Sequence, residues 1–255
     1  MEPQTATPLA IDNLLLDGFK LFKMGFMDVL GILLSQTLSL IILFVGLFSI
    51  TMSFYGHSTL TTLPVSFIIS MVISILIILM VQLGFVAAFT TKFWAIAHQN
   101  KISSSQAYRL GIRKALPLLV WMVIYLLIVW TGLLLFFVPG LVLATSLFMG
   151  AALIIQDHHT CLGAVKTSHK MVWPYLRQTL FYIVVAAGIT LGLYFVTLYP
   201  LGLFVSYLTS NYPMLNGILD IARYALIVML VPLFVALMIP YYMALLRLAQ
   251  NQTAS

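Results

Sequence analysis

The chain has 255 residues, of which 62% are apolar and only 7% charged, where an ordinary globular domain carries about 25% charge. With a mean hydropathy of +1.11, it has too few charges to solvate a folded surface. A water-soluble domain, a disordered chain and a disulfide-rich secreted domain are all excluded. What remains is an all-α, polytopic membrane protein forming a single integral domain over 1–255.

Residues 1–28 form an N-terminal amphipathic segment. On a helical wheel Ile11, Leu14, Leu15, Phe19, Phe22 and Phe26 share one side. Asp12, Asn13, Asp17, Lys20 and Lys23 share the other, the pattern of a helix lying in the membrane interface. Glu2, Asp12 and Asp17 precede the first apolar run, which is too long and too late for a cleaved signal.

No Asp, Glu, Lys or Arg occurs between Asp28 and Lys92, between Lys114 and Asp157, between Arg177 and Asp220, or between Arg223 and Arg247. A membrane helix needs about 20 apolar residues. These gaps therefore hold six spans, at about 29–52, 65–91, 116–137, 140–156, 179–203 and 222–246. A polar loop from Ser53 to Pro64 divides the first gap. Val138-Pro139-Gly140 divides the second, so Pro139 and Gly140 are read as a structural turn. The third gap turns polar from Ser206 and is read as one span plus a loop.

Placing both termini inside puts all of the 12 Lys and Arg except Arg223 on the inner side, a strong positive-inside signal. A seven-span reading would use 201–219 as a helix and put Arg247 outside. The net charge of +6 is then a topological and lipid-facing feature. No basic cluster lies in a soluble domain, so nucleic acid is not a partner.

A second amphipathic stretch opens at Ser103, with Gln106 completing a capping box, and runs to Pro117. A third opens near Thr160 and runs to Pro174. Gly18-Phe19-Lys20, Gly111-Ile112-Arg113 and Ser168-His169-Lys170 superpose. Each sets a small residue two positions before a cation. The reading is three hairpin units, each preceded by an interfacial helix. Lys20, Arg113 and Lys170 are then candidate contacts for anionic lipid headgroups.

Pro139-Gly140, the apolar run to Gln156-Asp157, Gly163-Ala164, Ser168 and Trp173 resemble the YciC-type family of bacterial inner-membrane proteins. They are also similar to the membrane domain attached to some glycerophosphodiester phosphodiesterases. The likeness is closest over 100–180. It implies six spans in a bacterial inner membrane and brings no catalytic residue. His158-His159 departs from the pattern, and the chain carries no phosphodiesterase domain, so that activity is not inherited.

Gln156-Asp157-His158-His159-Thr160-Cys161 is the densest polar run. Adjacent histidines diverge by about 100° on a helix, a poor geometry for one ion, so no metal site is expected. Asp157 is read as a helix cap. His169 is read as interfacial packing and His98 as a headgroup contact. Cys161, the single cysteine, has no disulfide partner. No nucleophile-and-base pattern, P-loop or dinucleotide fingerprint occurs, so neither an enzyme nor a cofactor is expected. Gln36, Gln82, Ser146 and Thr190 are the main polar residues inside the spans, each expected to make a helix-to-helix hydrogen bond. No charge lies in the middle of a span, which disfavours an ion-coupled carrier. The expected function is non-enzymatic, through lipid or protein contacts. A transporter or lipid-translocating protein is the alternative.

A reporter active only outside the cytoplasm is expected to work when fused after Ser58 or Asn211. It is expected to be silent after Lys101, Lys166 or Ser255. Activity at Ser255 contradicts the six-span count.

Overall fold

The computed structural model describes residues 10–55, 65–156, 159–211 and 216–254. Among these the fold is all-helical, in the order α1 (Ile11–Tyr55), α2 (Val65–Ala97), α3 (Ser104–Leu135), α4 (Phe137–Leu147), α5 (Gly150–Gln156), α6 (Cys161–Val172), α7 (Leu176–Leu193), α8 (Tyr199–Asn211) and α9 (Asn216–Ala254). Six stretches are long and apolar enough to cross a membrane: Ile11–Leu47, Val65–Ala97, Ser104–Leu135, Phe137–Gln156, Cys161–Phe204 and Leu230–Asn251. The polar loop expected around His57 and residues 212–215 lie outside the described residues.

Several boundaries differ from the sequence reading. The first amphipathic stretch is not a separate helix but the opening turns of α1, which continues unbroken into the first span. The second likewise opens α3, which carries Pro117 in its interior. A single missing N–H costs one backbone hydrogen bond, and the rest of a 32-residue helix outlasts it. Only the third stretch, α6, is separate. A 3-10 turn at Trp173-Pro174-Tyr175 divides it from α7. Beyond α7 the helix passes through a π turn at Tyr194–Leu198 and ends at Asn211, so part of the expected outer loop is helical. Ser206 donates to the carbonyl of Gly202 one turn back, which lets a polar residue remain in the helix.

The turn assigned to Pro139 and Gly140 falls elsewhere. The corner between α3 and α4 is at Phe136, the one extended residue there (φ −161°, ψ 145°). Its N–H still bonds the Gly132 carbonyl at 3.0 Å. Pro139 sits in the first turn of α4, where backbone N–H groups have no helical partner to lose. Gly140 serves a close approach. A Cβ there would lie 2.7 Å from the Leu133 amide nitrogen, and one at Gly132 would lie 2.9 Å from the Gly140 Cα. The two glycines let α3 and α4 fold against each other directly after the corner.

Two terminations are well formed. Ser103 caps α3 by the expected reciprocal box with Gln106, at 3.1 and 3.0 Å. α2 ends with Gln99 at φ 58°, while the Asn100 and Gln99 amides bond back to Ala95 and Ile96. That is the double bond of a Schellman closure.

The core forms two adjoining clusters. One gathers Trp121, Leu153, Tyr182, Leu237 and Tyr241 from α3, α5, α7 and α9, with Met149 from the turn before α5. The other gathers Leu21, Ile32, Phe85, Phe89, Phe93 and Ala236 from α1, α2 and α9. Ile11, Leu14, Leu15 and Phe22 pack on this core as the wheel predicts. Phe19 and Phe26 are exposed instead, and Leu21 is buried. Large apolar side chains such as Ile42, Ile68, Leu127 and Val196 stay more than half exposed, as suits a helix surface facing hydrocarbon.

Small residues set the closest helix contacts. Gly111 of α3 faces the Gly84 carbonyl and the Ala88 amide of α2, where an added Cβ would meet backbone. Replacing Gly111 with Ala is therefore expected to destabilise the protein by about 1–3 kcal/mol. At Gly46 no atom lies within 4 Å of a built Cβ, so Gly46→Ala is expected to add up to about 1 kcal/mol from helix propensity. Thermal denaturation in detergent reads both, and equal effects at the two positions would contradict the close contact.

Candidate functional site

Contacts gather the polar residues at one end of the bundle. α1 reaches this end through Gly18, whose built Cβ lies 2.8 Å from the Leu237 Cα and 3.2 Å from the Ala236 carbonyl oxygen. That carbonyl has no helical donor, because Pro240 lacks the N–H four residues on. Gly18 therefore lies against an opened turn of α9, where a larger side chain would not fit. Gly111 makes the corresponding approach to α2. Ser168 of α6 is fully buried and donates its hydroxyl to the Ser146 carbonyl at 2.9 Å, tying α6 to α4.

The three candidate cations stand two residues beyond these contacts. Lys20, Arg113 and Lys170 are all exposed. Lys20 pairs with Asp17 of its own helix at 3.2 Å, an exposed pair of small energetic weight. The structure does not bring the three together: they stand apart on α1, α3 and α6.

Lys92, by contrast, is not the exposed inner marker that charge counting suggests. Its side chain is 6% exposed, with Nζ 3.7 Å from Asp28 Oδ2 and donating to the Ile102 carbonyl at 2.6 Å. Ser104 adds a bond from its hydroxyl to the Asp28 carbonyl at 2.7 Å. α1, α2 and the 98–103 connection are thereby joined through one buried ammonium. A buried charge is costly unless it is both paired and hydrogen-bonded, and here both conditions are met. Lys114 plays a similar part across α3 and α5, with Nζ on the Ile154 carbonyl at 3.0 Å.

The Gln156-to-Cys161 run divides. Asp157, the expected cap, lies outside the described residues, as does His158. Thr160 is the N-cap of α6, its hydroxyl accepting from the Gly163 amide at 3.2 Å. A threonine hydroxyl one residue before the helix fits the N-cap position by itself. Cys161 donates to the Pro117 carbonyl at 3.3 Å. His169 stacks against Trp173, with ring centroids 4.9 Å apart. His98 lies over Trp94 at 4.5 Å. Among the described residues no three His, Cys, Asp or Glu side chains gather into a metal-binding group.

The polar residues singled out within the spans bond to a neighbouring helix or to their own. Gln36 of α1 donates to Gln82 of α2 at 2.6 Å, the helix-to-helix bond expected. Thr190 bonds only its own helix, at Ala186. Ser146 bonds Leu143 and offers its carbonyl to Ser168. A buried α7–α9 cluster lies outside what sequence reasoning identified. In it the Thr179 and Tyr241 hydroxyls lie 2.8 Å apart, Tyr182 donates to the Leu237 carbonyl, and the two tyrosine rings stack at 4.3 Å. Tyr182 and Tyr241 occupy different helices, and nothing in their spacing announces the pair.

Also unread in sequence is an apolar cavity of about 460 Å³ between α2, α3, α5 and α9. Trp94, Trp121, Tyr125, Phe148, Phe234 and Tyr242 supply its aromatic walls.

No family model, curated protein or solved structure matches the chain.

Replacing Lys92 with Met leaves the Ile102 carbonyl without its buried donor and removes an ion-pair partner. The expected loss is about 1–3 kcal/mol, the cost of one unsatisfied buried acceptor. Asp28→Asn instead leaves the ammonium, whose side chain is 6% exposed, without its counter-charge, with an expected loss of about 3 kcal/mol. Melting temperatures of the two variants in one detergent check both, and an Asp28→Asn variant as stable as the parent would contradict the buried-ammonium account.

Proposed function

We propose that the chain is a multi-pass protein of a bacterial inner membrane, with both termini cytoplasmic. In this reading it is non-enzymatic and acts through lipid and protein contacts, in envelope organisation or as an accessory subunit. The charge asymmetry supports the orientation, and the resemblance to YciC-type proteins supports the compartment. Three repeated units, each an inner amphipathic segment followed by two spans, account for the helix pairing. Gly18 of the first unit docks on the last span of the third, Gly111 of the second on the last span of the first, and Ser168 of the third on the last span of the second. Each inner segment thus leans on the unit before it, and the three contacts close a ring.

The observation that carries the lipid reading is the pairing repeated at these contacts: a buried small residue followed, two positions on, by an exposed cation. The buried residue fixes the helix against a span, and the cation stands exposed where it can meet a headgroup phosphate, Lys20 by exchanging its weak exposed pair with Asp17. Basic residues at an anionic surface gain about 1 kcal/mol each, enough in combination to select phosphatidylglycerol or cardiolipin over neutral lipid. The competing explanation is that any basic residue nearby keeps these loops inside. A lipid-translocating protein is the second reading, and the apolar cavity is the observation in its favour. Transfer of fluorescent lipid across reconstituted vesicles, above that of empty liposomes, would establish it.

Replacing Lys20, Arg113 and Lys170 together by Gln separates the first reading from its competitor. The remaining inner cations hold topology. Co-purifying anionic lipid is expected to fall about tenfold, the equivalent of roughly half the summed headgroup attraction, and added cardiolipin is expected to stop raising the melting temperature. If lipid and stabilisation both persist, the three cations are ordinary topological markers.

A further inference from the structure

The 460 Å³ cavity has the size of a small-molecule site, and its shape and walls restrict what can fill it. On α2 its lining runs from Leu83 to Trp94, and on α9 from Val231 to Tyr242, each a length of about 16 Å at 1.5 Å per residue. The cavity is therefore elongated along the helices rather than across them. At one end Trp94 and Tyr242 face each other with ring centroids 5.4 Å apart. At the other stand half-buried Leu83 and Val231 and, on α3, Leu126, which is 41% exposed. The cavity is thus not sealed from the outside of the bundle.

Its polar atoms have little to offer a polar guest. The Thr90 hydroxyl is bonded to Val86 at 2.8 Å, and the Tyr125 hydroxyl to the Ala144 carbonyl at 3.3 Å. The Trp121 indole N–H has no partner and lies close against Gly150, a single donor in a predominantly apolar lining. Ordered water needs two to four polar partners, and apolar cavities stay dry and take apolar guests. In a chain read as embedded in lipid, the guest at hand is hydrocarbon.

We propose that this cavity holds one acyl chain of a bilayer lipid, lying parallel to the helices between α2, α3, α5 and α9. A methylene takes up close to the volume share of a water molecule, about 30 Å³, so 460 Å³ accommodates about fifteen carbons, the length of one ordinary chain. Trp121 stacks on Tyr125 at 5.0 Å to form one wall, and the T-shaped pair Phe148–Phe234 at 6.2 Å forms another. Ala151 and Ala152 of α5 leave the width between them. The proposal deepens the lipid-contact reading and rests on the chain being in the membrane.

Fluorescence quenching by brominated acyl chains tests it. The protein has 4 Trp, and two sole-Trp variants are reconstituted into vesicles of brominated or ordinary phosphatidylcholine. One keeps Trp130, which is 60% exposed on the outside of α3. The other keeps Trp121, which is 8% exposed and lines the cavity. The remaining tryptophans are changed to Phe. Acyl chains are in large excess in a bilayer, so even a weak site is filled, and Trp121 emission is expected to fall about twofold. Ala152→Phe in that background fills the space and is expected to restore the emission, and Ala152→Leu to restore part of it. The melting temperature of each filled variant shows that it remains folded. Quenching of Trp130 without quenching of Trp121 overturns the acyl-chain site alone. A red-shifted Trp121 emission insensitive to bromine means a water-filled cavity and also overturns it. Quenching of Trp121 that survives both fillings means that lipid reaches the indole by another route, again against the proposal. If Trp130 itself is not quenched, the membrane reading fails, and the acyl-chain site with it.

Discussion

A helix surrounded by hydrocarbon has no water to complete its hydrogen bonds, and no hydrophobic force of its own to press it against a neighbour. Close packing and internal pairing of polar groups must do both tasks, and the placement of small and polar residues in this chain follows from that. Gly111 brings α3 onto the backbone of α2, and Gly132 and Gly140 bring α3 onto α4. Gly18 fits against the turn of α9 that Pro240 leaves short of a donor. Where side chains are polar, they find one another, as Gln36 finds Gln82 and Thr179 finds Tyr241.

The same constraint explains why a charge among the packed helices is not simply exposed. Lys92 is buried, and it is stable because a carboxylate and a carbonyl both meet it. Its position joins α1, α2 and the start of α3, immediately beside the Ser103–Gln106 cap. These charged groups therefore serve to fasten the helices to one another. Lys20, Arg113 and Lys170 differ from Lys92 in being exposed, Lys20 beside Asp17 of its own helix.

What was legible in the sequence had a local cause. The Ser103–Gln106 box depends on near neighbours alone and stands where local reasoning places it. The six apolar stretches follow from the lengths of the charge-free gaps. What was illegible depends on partners far along the chain. The corner at Phe136 bears no glycine or proline of its own, and the Pro139-Gly140 signal beside it serves helix packing instead. Proline at 117 reads as a stop but is absorbed in a long helix. The burial of Lys92 needs Ile102 and Asp28, and the cavity needs residues from four helices. No periodicity within one segment encodes either.

The central claim is that the opening segments of α1 and α3, together with α6, are docked into the bundle through Gly18, Gly111 and Ser168 rather than lying loosely on the membrane surface. Amide hydrogen exchange in lipid nanodiscs tests it most directly, because an undocked helix outside the hydrocarbon opens readily. The account predicts that amides of 18–26, 107–115 and 164–172 are protected to the same degree as those of 85–95 at the core of α2. Exchange of these three segments orders of magnitude faster than 85–95, with the spans still protected, would contradict it.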